Sequence, residues 1–330
     1  MNFRNKYRYL SIKRYVNHKK STDGKGKGIG DCKNCMASIL LSLLCLCFSL
    51  DVAAQTRRAL LVGISDYESA GDLNVWTNIH GTNDVQLMAE CLSRQGFSDR
   101  MVLLDEKATH ARILDEFKKL TLRVQPGDTV FFHFSGHGQP FEDLDGDEGD
   151  ADGWDESIVP YDAFPHFEKG EYEGQHHLTD DCLYDLLLDI RKKAGRKGMV
   201  YAVIDACFSG SVMRGDDENT YKYNIVAFCV SKRREFSPVA SRKVFRLLET
   251  SDDCADLIAL EASLPFRKTR EIKENNQFYG PLSFNVVMSL QKHPLSEGLK
   301  WIDELQRRYR NDRRLNREVI FCESSIPFEF

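Results

Sequence analysis

From residue 55 onward, apolar positions follow two alternating rhythms. Arg58-Ala-Leu-Leu-Val-Gly-Ile64 is a continuous apolar run between polar flanks, the pattern of a strand buried on both faces. Asn83 to Gln95 carries Val85, Leu87, Met88, Cys91 and Leu92 on an approximate helical stripe, with Thr82 or Asn83 as its cap. Met101 to Leu104 predicts a short strand. Thr109 to Leu120 repeats the helical period through Ile113, Leu114, Phe117 and Leu120, and Pro126-Gly127 turns into a strand ending at His137. Asp180 to Lys193 reads as a helix and Met199 to Ala206 as a strand. Farther on, Asp256 to Leu260 predicts a strand, Phe284 to Leu290 a helix starting after Gly280-Pro281, and Leu299 to Arg310 another helix. Such alternation predicts an α/β fold, a mainly parallel central β-sheet with helices on both faces. Arg214 to Cys254 breaks the rhythm with charges, Ser and short apolar pieces. It reads as a long surface loop, 214–255, inside a single domain spanning 55–330.

The front of the chain follows neither rhythm. Residues 1–35 are rich in Lys and Arg and include Gly24-Lys-Gly-Lys-Gly-Ile-Gly30, a composition with too little apolar surface to order, so a disordered basic tail is expected. Met36 to Leu50 is nearly all apolar and is followed by the small residues of Val52-Ala53-Ala54. Residues 36–54 therefore read as a signal peptide cleaved after Ala54, giving a secreted or periplasmic protein; the alternatives are a membrane anchor or a buried helix. The long basic front also allows Met36 as the start.

Composition narrows the class. A chain of 330 residues with 42% hydrophobic and 29% charged residues is ordinary for a globular protein. A net charge of −5 without a basic face past the tail argues against nucleic acid as a partner. The ten cysteines are scattered, and no second CxxC completes Cys32/Cys35 into a zinc site. Removal of the leader would leave Cys91, Cys182, Cys207, Cys229, Cys254 and Cys322, which an oxidising compartment could pair, the nucleophile excepted.

The candidate chemistry lies in two small-residue stretches at predicted strand ends. Ser135-Gly-His-Gly138 carries His137, and Asp205-Ala-Cys-Phe-Ser-Gly210 carries Cys207. A cysteine attacks as its thiolate and needs a base, and the departing amine needs a proton that a histidine can return. Two backbone N–H groups aimed at the developing oxyanion complete such a site. Asp205 lies two residues before Cys207 on the predicted strand, and so on the same face.

These boxes, in this order, resemble those of caspase-fold cysteine peptidases, and within them the metacaspase and orthocaspase branch. The likeness runs from about Arg57 to Leu290. It also takes in Leu60 to Ile64 with Asn83-Asp84, Asp152-Gly-Trp-Asp-Glu156 leading to Ile158-Val-Pro-Tyr-Asp162, and Thr179-Asp-Asp181. The resemblance implies a Cys207/His137 dyad with Gly138 and Cys207 as oxyanion donors. It further implies that Asp84, Ser135 and Asp205 line a pocket for Arg or Lys before the scissile bond, which agrees with the cost of burying carboxylates without a cation. The alternative for Asp84 is a helix N-terminal acid whose only role is with the dipole.

The acidic stretch from Phe141 to Glu156 imitates a calcium loop, but counting from Glu148 puts Val159 where an EF-hand has its bidentate Glu. By the family likeness, Asp155, Asp180 and Asp181 fall on three calcium-ligand positions, while Arg214 occupies the fourth. Calcium is thus an optional cofactor in this reading, with Asp216 or Asp217 as substitutes for the missing ligand. The resemblance also implies a monomeric zymogen, with Lys222, Arg234 and Lys243 as self-cleavage sites. Its partner is a polypeptide substrate with a basic residue at the cut, and the mature chain has no stable membrane span. The rival readings are a catalytically silent caspase-like scaffold and a calcium-binding module.

Overall fold

The computed structural model describes residues 55–68, 76–144, 154–207, 227–230, 245–248, 253–262, 271–315 and 319–330. The basic tail, the leader and its cleavage point lie outside these residues, as do Asp216, Asp217, Lys222, Arg234, Lys243 and most of the acidic stretch. Nine strands of the described residues form one sheet. Its parallel heart is β1 (Arg57–Gly63), β2 (Phe97–Leu104), β3 (Thr129–Glu142), β6 (Met199–Cys207) and β8 (Asp256–Ala262), in the order β2-β1-β3-β6-β8. Beyond β8 come β11 (Ile320–Ser324), antiparallel to β8, and β7 (Phe245–Leu247), parallel to β11. The central strands are buried on both faces because each face carries helices. Helices α2 (His110–Arg123) and α3 (Asp180–Ala194) cover one face through Ile113, Phe117, Leu183 and Leu187. On the other lie α1 (Gly81–Arg94), α4 (Pro281–Lys292) and α5 (Lys300–Asn311), through Val85, Met88, Val286 and Trp301.

Several expected boundaries move, each for a local reason. Helix α1 starts at Gly81 with His80 as its N-cap residue, not Thr82 or Asn83. Thr82 spends its hydroxyl on Ser65 instead, at 2.7 Å. Gly81 is required there, because a Cβ would stand 2.3 Å from the Ser135 carbonyl oxygen; only glycine lets the helix start against the ends of the strands. Thr109 does cap α2, accepting from the Arg112 N–H.

The larger correction concerns β3. The Gly-rich box is not a turn at the end of a strand: β3 runs on for 14 residues, all buried. It leaves β1 after Ser135 and β6 after His137, and from Gly138 pairs antiparallel with β4 (Trp154–Ile158), which in turn pairs with β5 (Leu178–Thr179).

That overhang also meets a described part of the 214–255 stretch. A strand edge with unpaired backbone seeks partners, and residues 227–230 supply them. The Phe228 N–H donates to Pro140 O at 2.8 Å, and the Glu142 N–H donates to Phe228 O at 3.0 Å. Phe228 is fully buried, its ring stacked on Phe141 at 5.0 Å and 4°. Farther along the same stretch, β7 joins the sheet. If the inserted stretch is docked in this way, Phe228→Ala should cost about 3–5 kcal/mol of stability in urea unfolding, the range for emptying a buried aromatic site. A loss under about 1 kcal/mol, the size of an ordinary surface change, would contradict the docking.

Candidate active site

Register assembles the site. In the parallel ladder between β3 and β6, Ser135 stands opposite Asp205 and His137 opposite Cys207. The two chemical boxes, 70 residues apart in sequence, are thus neighbours across one ladder. Gly138 opens the antiparallel ladder to β4, opposite Ile158. Successive strand residues face opposite sides. Phe132 and Phe134 therefore enter the core under α2 and α3, whereas His133, Ser135 and His137 share the face that Phe131 gives to α1 and α4.

His137 is buried under an aromatic cover: Trp76 stacks on its ring at 4.9 Å and Tyr67 lies at 5.0 Å. The Tyr67 hydroxyl accepts from the His137 backbone N–H at 2.6 Å. Its Nε2 lies 2.7 Å from the Thr77 carbonyl oxygen. A carbonyl can only accept, so Nε2 carries the proton, and Nδ1 keeps its lone pair if the ring is neutral. Burial pushes the imidazole down to about 4, against a smaller upward pull from Thr77, so the ring is neutral at physiological pH. Nδ1 is buried and has no hydrogen-bond partner among the described residues. The arrangement offers one buried basic nitrogen in a fixed orientation. Sequence reading missed Thr77, Trp76 and Tyr67, which lie in a connection with no periodic signal. Trp76 is fixed there by donating to Ala163 O at 2.9 Å.

Asp84 and Asp205 come together on either side of Gly280. The Ser135 hydroxyl donates to Asp84 Oδ2 at 2.6 Å, and the Gly280 N–H donates to Asp84 Oδ1 at 2.9 Å. Asp205 Oδ2 accepts from the Ser283 N–H at 2.7 Å, in the first turn of α4, where a helix end favours negative charge. A Cβ on residue 280 would lie 2.3 Å from Asp205 Oδ2 and 2.9 Å from Asp84 Oδ2, so Gly280 is the hinge of the pair. Asp84 is therefore held by contacts from β3 and α4 besides its place in the first turn of α1. Burial first, then the Asp205 charge, raises the Asp84 carboxyl well above its usual range. Burial likewise lifts Asp205 to about 6, with Ser283 pulling back and the charge of Glu271 adding to the rise. Two desolvated acids with no described cation between them form a site short of positive charge.

The three residues of the expected calcium set lie on adjoining segments. Asp155 is buried on β4, and Asp180 and Asp181 open α3 directly after Thr179, which pairs with Ser157. Among the described residues, no group of three or more His, Cys, Asp or Glu side chains could hold a metal ion. Arg214 lies outside them. Cys91, Cys182, Cys254 and Cys322 form no disulfide among the described residues, and no helix of the described residues is long and apolar enough to cross a membrane.

Comparison with known proteins agrees with this geometry. Residues 57–215 match the family described as metacaspase, peptidase C14 domain. Metacaspase-1 of Eremothecium gossypii is 36% identical over 166 residues, which is 48% of this chain and 32% of that protein. Metacaspase-1 of Coccidioides immitis is 27% identical over 301 residues, 79% of this chain and 61% of that one. The chain thus spans about a third of the Eremothecium relative it matches. A crystal structure of a Geobacter sulfurreducens protein covers 83% of this chain and 95% of its own, with a TM-score of 0.51 and 18% identity, a likeness of fold alone.

The raised Asp205 carboxyl makes a signed prediction. Between pH 3.8 and about 6 the folded protein binds more protons at Asp205 than the unfolded chain. Stability from this group is therefore complete at low pH and lost as pH rises through about 6. Asp205→Asn removes that loss. Its melting temperature relative to the unsubstituted protein should climb from pH 4 to pH 7, by the equivalent of roughly 3 kcal/mol. A difference that stays flat with pH would contradict the buried, raised carboxyl.

Proposed function

We propose, from the match of residues 57–215 to the metacaspase, peptidase C14 domain family and from the parallel sheet that carries them, that the chain is a cysteine endopeptidase cutting after Arg or Lys. The observation that carries the reading is the pairing of His137 with Cys207 across the β3–β6 ladder. In this mechanism the Cys207 sulfur attacks the scissile carbonyl carbon while its proton passes to His137 Nδ1. The carbonyl oxygen takes the negative charge, facing the N–H groups of Gly138 and Cys207. The tetrahedral adduct then collapses, the carbon–nitrogen bond breaks, and the leaving amine takes the proton from His137. Water, deprotonated by the same nitrogen, hydrolyses the thioester and returns Cys207 to its thiol.

The neutral, low-pKa imidazole fits this cycle. A ring that stays unprotonated until chemistry begins is ready as a base, and the Thr77 carbonyl stabilises the imidazolium when it forms. The Arg or Lys side chain supplies the charge that Asp84 and Asp205 lack, and both carboxyls ionise as it enters. Calcium takes no step in this mechanism. In the same proposal the chain is exported with cleavage after Ala54, acts as a monomer, and cuts itself within 214–255. Sequencing the termini of the unsubstituted and Cys207→Ala proteins reads both cleavages.

Two outcomes test the enzyme. The protein should turn over a fluorogenic Arg-peptide and ignore the Asp-peptide, and Cys207→Ala and His137→Ala should each lose at least about a thousandfold in kcat, the scale for a nucleophile or its base. Preference for the Asp-peptide would overturn the pocket. The pH profile adds an independent check. Imidazole near 4, Asp205 near 6 and the raised Asp84 must all be deprotonated for a basic substrate, so the carboxyls govern. For the Arg-peptide, kcat/KM should rise at about pH 6 or above, and an acid limb near pH 4 would remove the carboxylates from binding.

A further inference from the structure

Among the described residues, His137 is a base with no carboxylate bonded to its ring. Its Nε2 bonds to a neutral group, the Thr77 carbonyl, and its Nδ1 has no hydrogen-bond partner there. The ring is buried, so the imidazolium that forms when it accepts a proton is costly unless something electron-rich meets it. What lies against it is aromatic. Trp76, itself buried, stacks on the imidazole with 4.9 Å between ring centroids and 24° between planes. Tyr67 stands 5.0 Å from the imidazole and 5.9 Å from Trp76, at steeper tilts of 38° and 45°. A cation within about 6 Å of an indole centroid is drawn to the negative face of that ring, most strongly where water is excluded, and a neutral ring feels far less of that pull.

We infer that Trp76 is a positioning residue of the dyad: its indole face orients the His137 ring and stabilises the imidazolium formed when Cys207 gives up its proton, the part that a carboxylate plays in a catalytic triad. The contact is worth more after proton transfer than before it, so it favours the state reached in the chemical step over the resting one. The fold fixes the indole from two sides. Its Nε1–H donates to Ala163 O at 2.9 Å, on the segment that follows β4. The next residue, Thr77, presents its carbonyl to the same imidazole. Two consecutive residues thus meet one ring, Trp76 on its face and Thr77 at its edge. Tyr67 is the lesser partner, since its ring is more tilted and its hydroxyl accepts from the His137 backbone N–H. A leucine in place of Trp76 would still exclude water but has no π face to offer.

The inference rests on the proposed dyad but not on the basic pocket, so it is tested on the sulfur without a peptide. The probe is iodoacetamide at pH 7, with Cys207→Ala as the blank for the other cysteines. His137→Ala should slow alkylation of Cys207, because the thiol then loses its proton acceptor; an unchanged rate would remove the dyad and the inference with it. Trp76→Leu should slow alkylation about tenfold, the value of a desolvated cation over an indole. The decisive series places tryptophans of increasing ring fluorination at position 76 of the full chain. Fluorine drains the π face while leaving the ring and its Nε1–H in place. The logarithm of the alkylation rate should fall in step with fluorination. Alkylation that depends on His137 but ignores fluorination overturns the inference and leaves the dyad standing, with Trp76 as packing alone. Because the fluorinated series keeps the indole, the test holds even if Trp76→Leu fails to fold.

Discussion

The ladder between β3 and β6 has a single register in which Ser135 meets Asp205 and His137 meets Cys207, and every other feature of the site depends on it. Side chains alternate along a strand, so a slip of one residue would carry His133, Ser135 and His137 to the opposite face. It would also carry Phe132 and Phe134 out of the core under α2 and α3, where both are fully buried. Losing two buried phenylalanines costs several kcal/mol, more than any polar contact of the site contributes. The hydrophobic core on one face therefore holds the chemistry in register on the other. β1 reinforces it, its last pair joining Gly63 to Ser135.

The price of the site is paid at Asp84 and Asp205. Carboxylates buried together destabilise a fold unless donors or cations meet them, and the start of α4 is arranged to meet both. Gly280 donates to one, Ser283 to the other, and the pair brackets a residue that has no room for a side chain. These donors moderate the cost without removing it, since both carboxyls remain raised. A protein kept for stability alone would do better with apolar residues here.

Much of this was legible in the sequence, and what was not has a common cause. Continuous apolar runs at 58–64 and 199–206 marked strands, and the helical stripes at 109–120 and 180–193 marked helices, because those patterns are local. The Gly-flanked His box was read as a turn, since glycine ends strands more often than it continues through them; the overrun of β3 depended on β4 and on Phe228, distant in the chain. The short strands β4, β5, β7 and β11 escaped for the same reason, as pairing partners with little periodicity of their own. Asp84 and Asp205 were found through neighbouring motifs. Thr77 and Ser283 contribute a carbonyl and a backbone N–H, which are not written in residue type, and the need for glycine at 280 shows only once Asp84 and Asp205 meet there.

His133 and His137 show how one strand can use the same side chain in two ways. Both rings are buried and neutral and bind through Nε2, to Ser283 Oγ in one case and to Thr77 O in the other. Both leave Nδ1 without a partner among the described residues. At 137 the strand has come to the end of its ladder with β6, opposite Cys207 in the register, the position where the proposed mechanism calls for a proton acceptor. Four residues earlier the ladder is closed by Val203, and nothing there can use a base. The cost of the unsatisfied nitrogen at 133 must then be offset by its other end. That end reaches the buried Ser283 hydroxyl, so His133 ties β3 to the first turn of α4 and takes no part in the dyad.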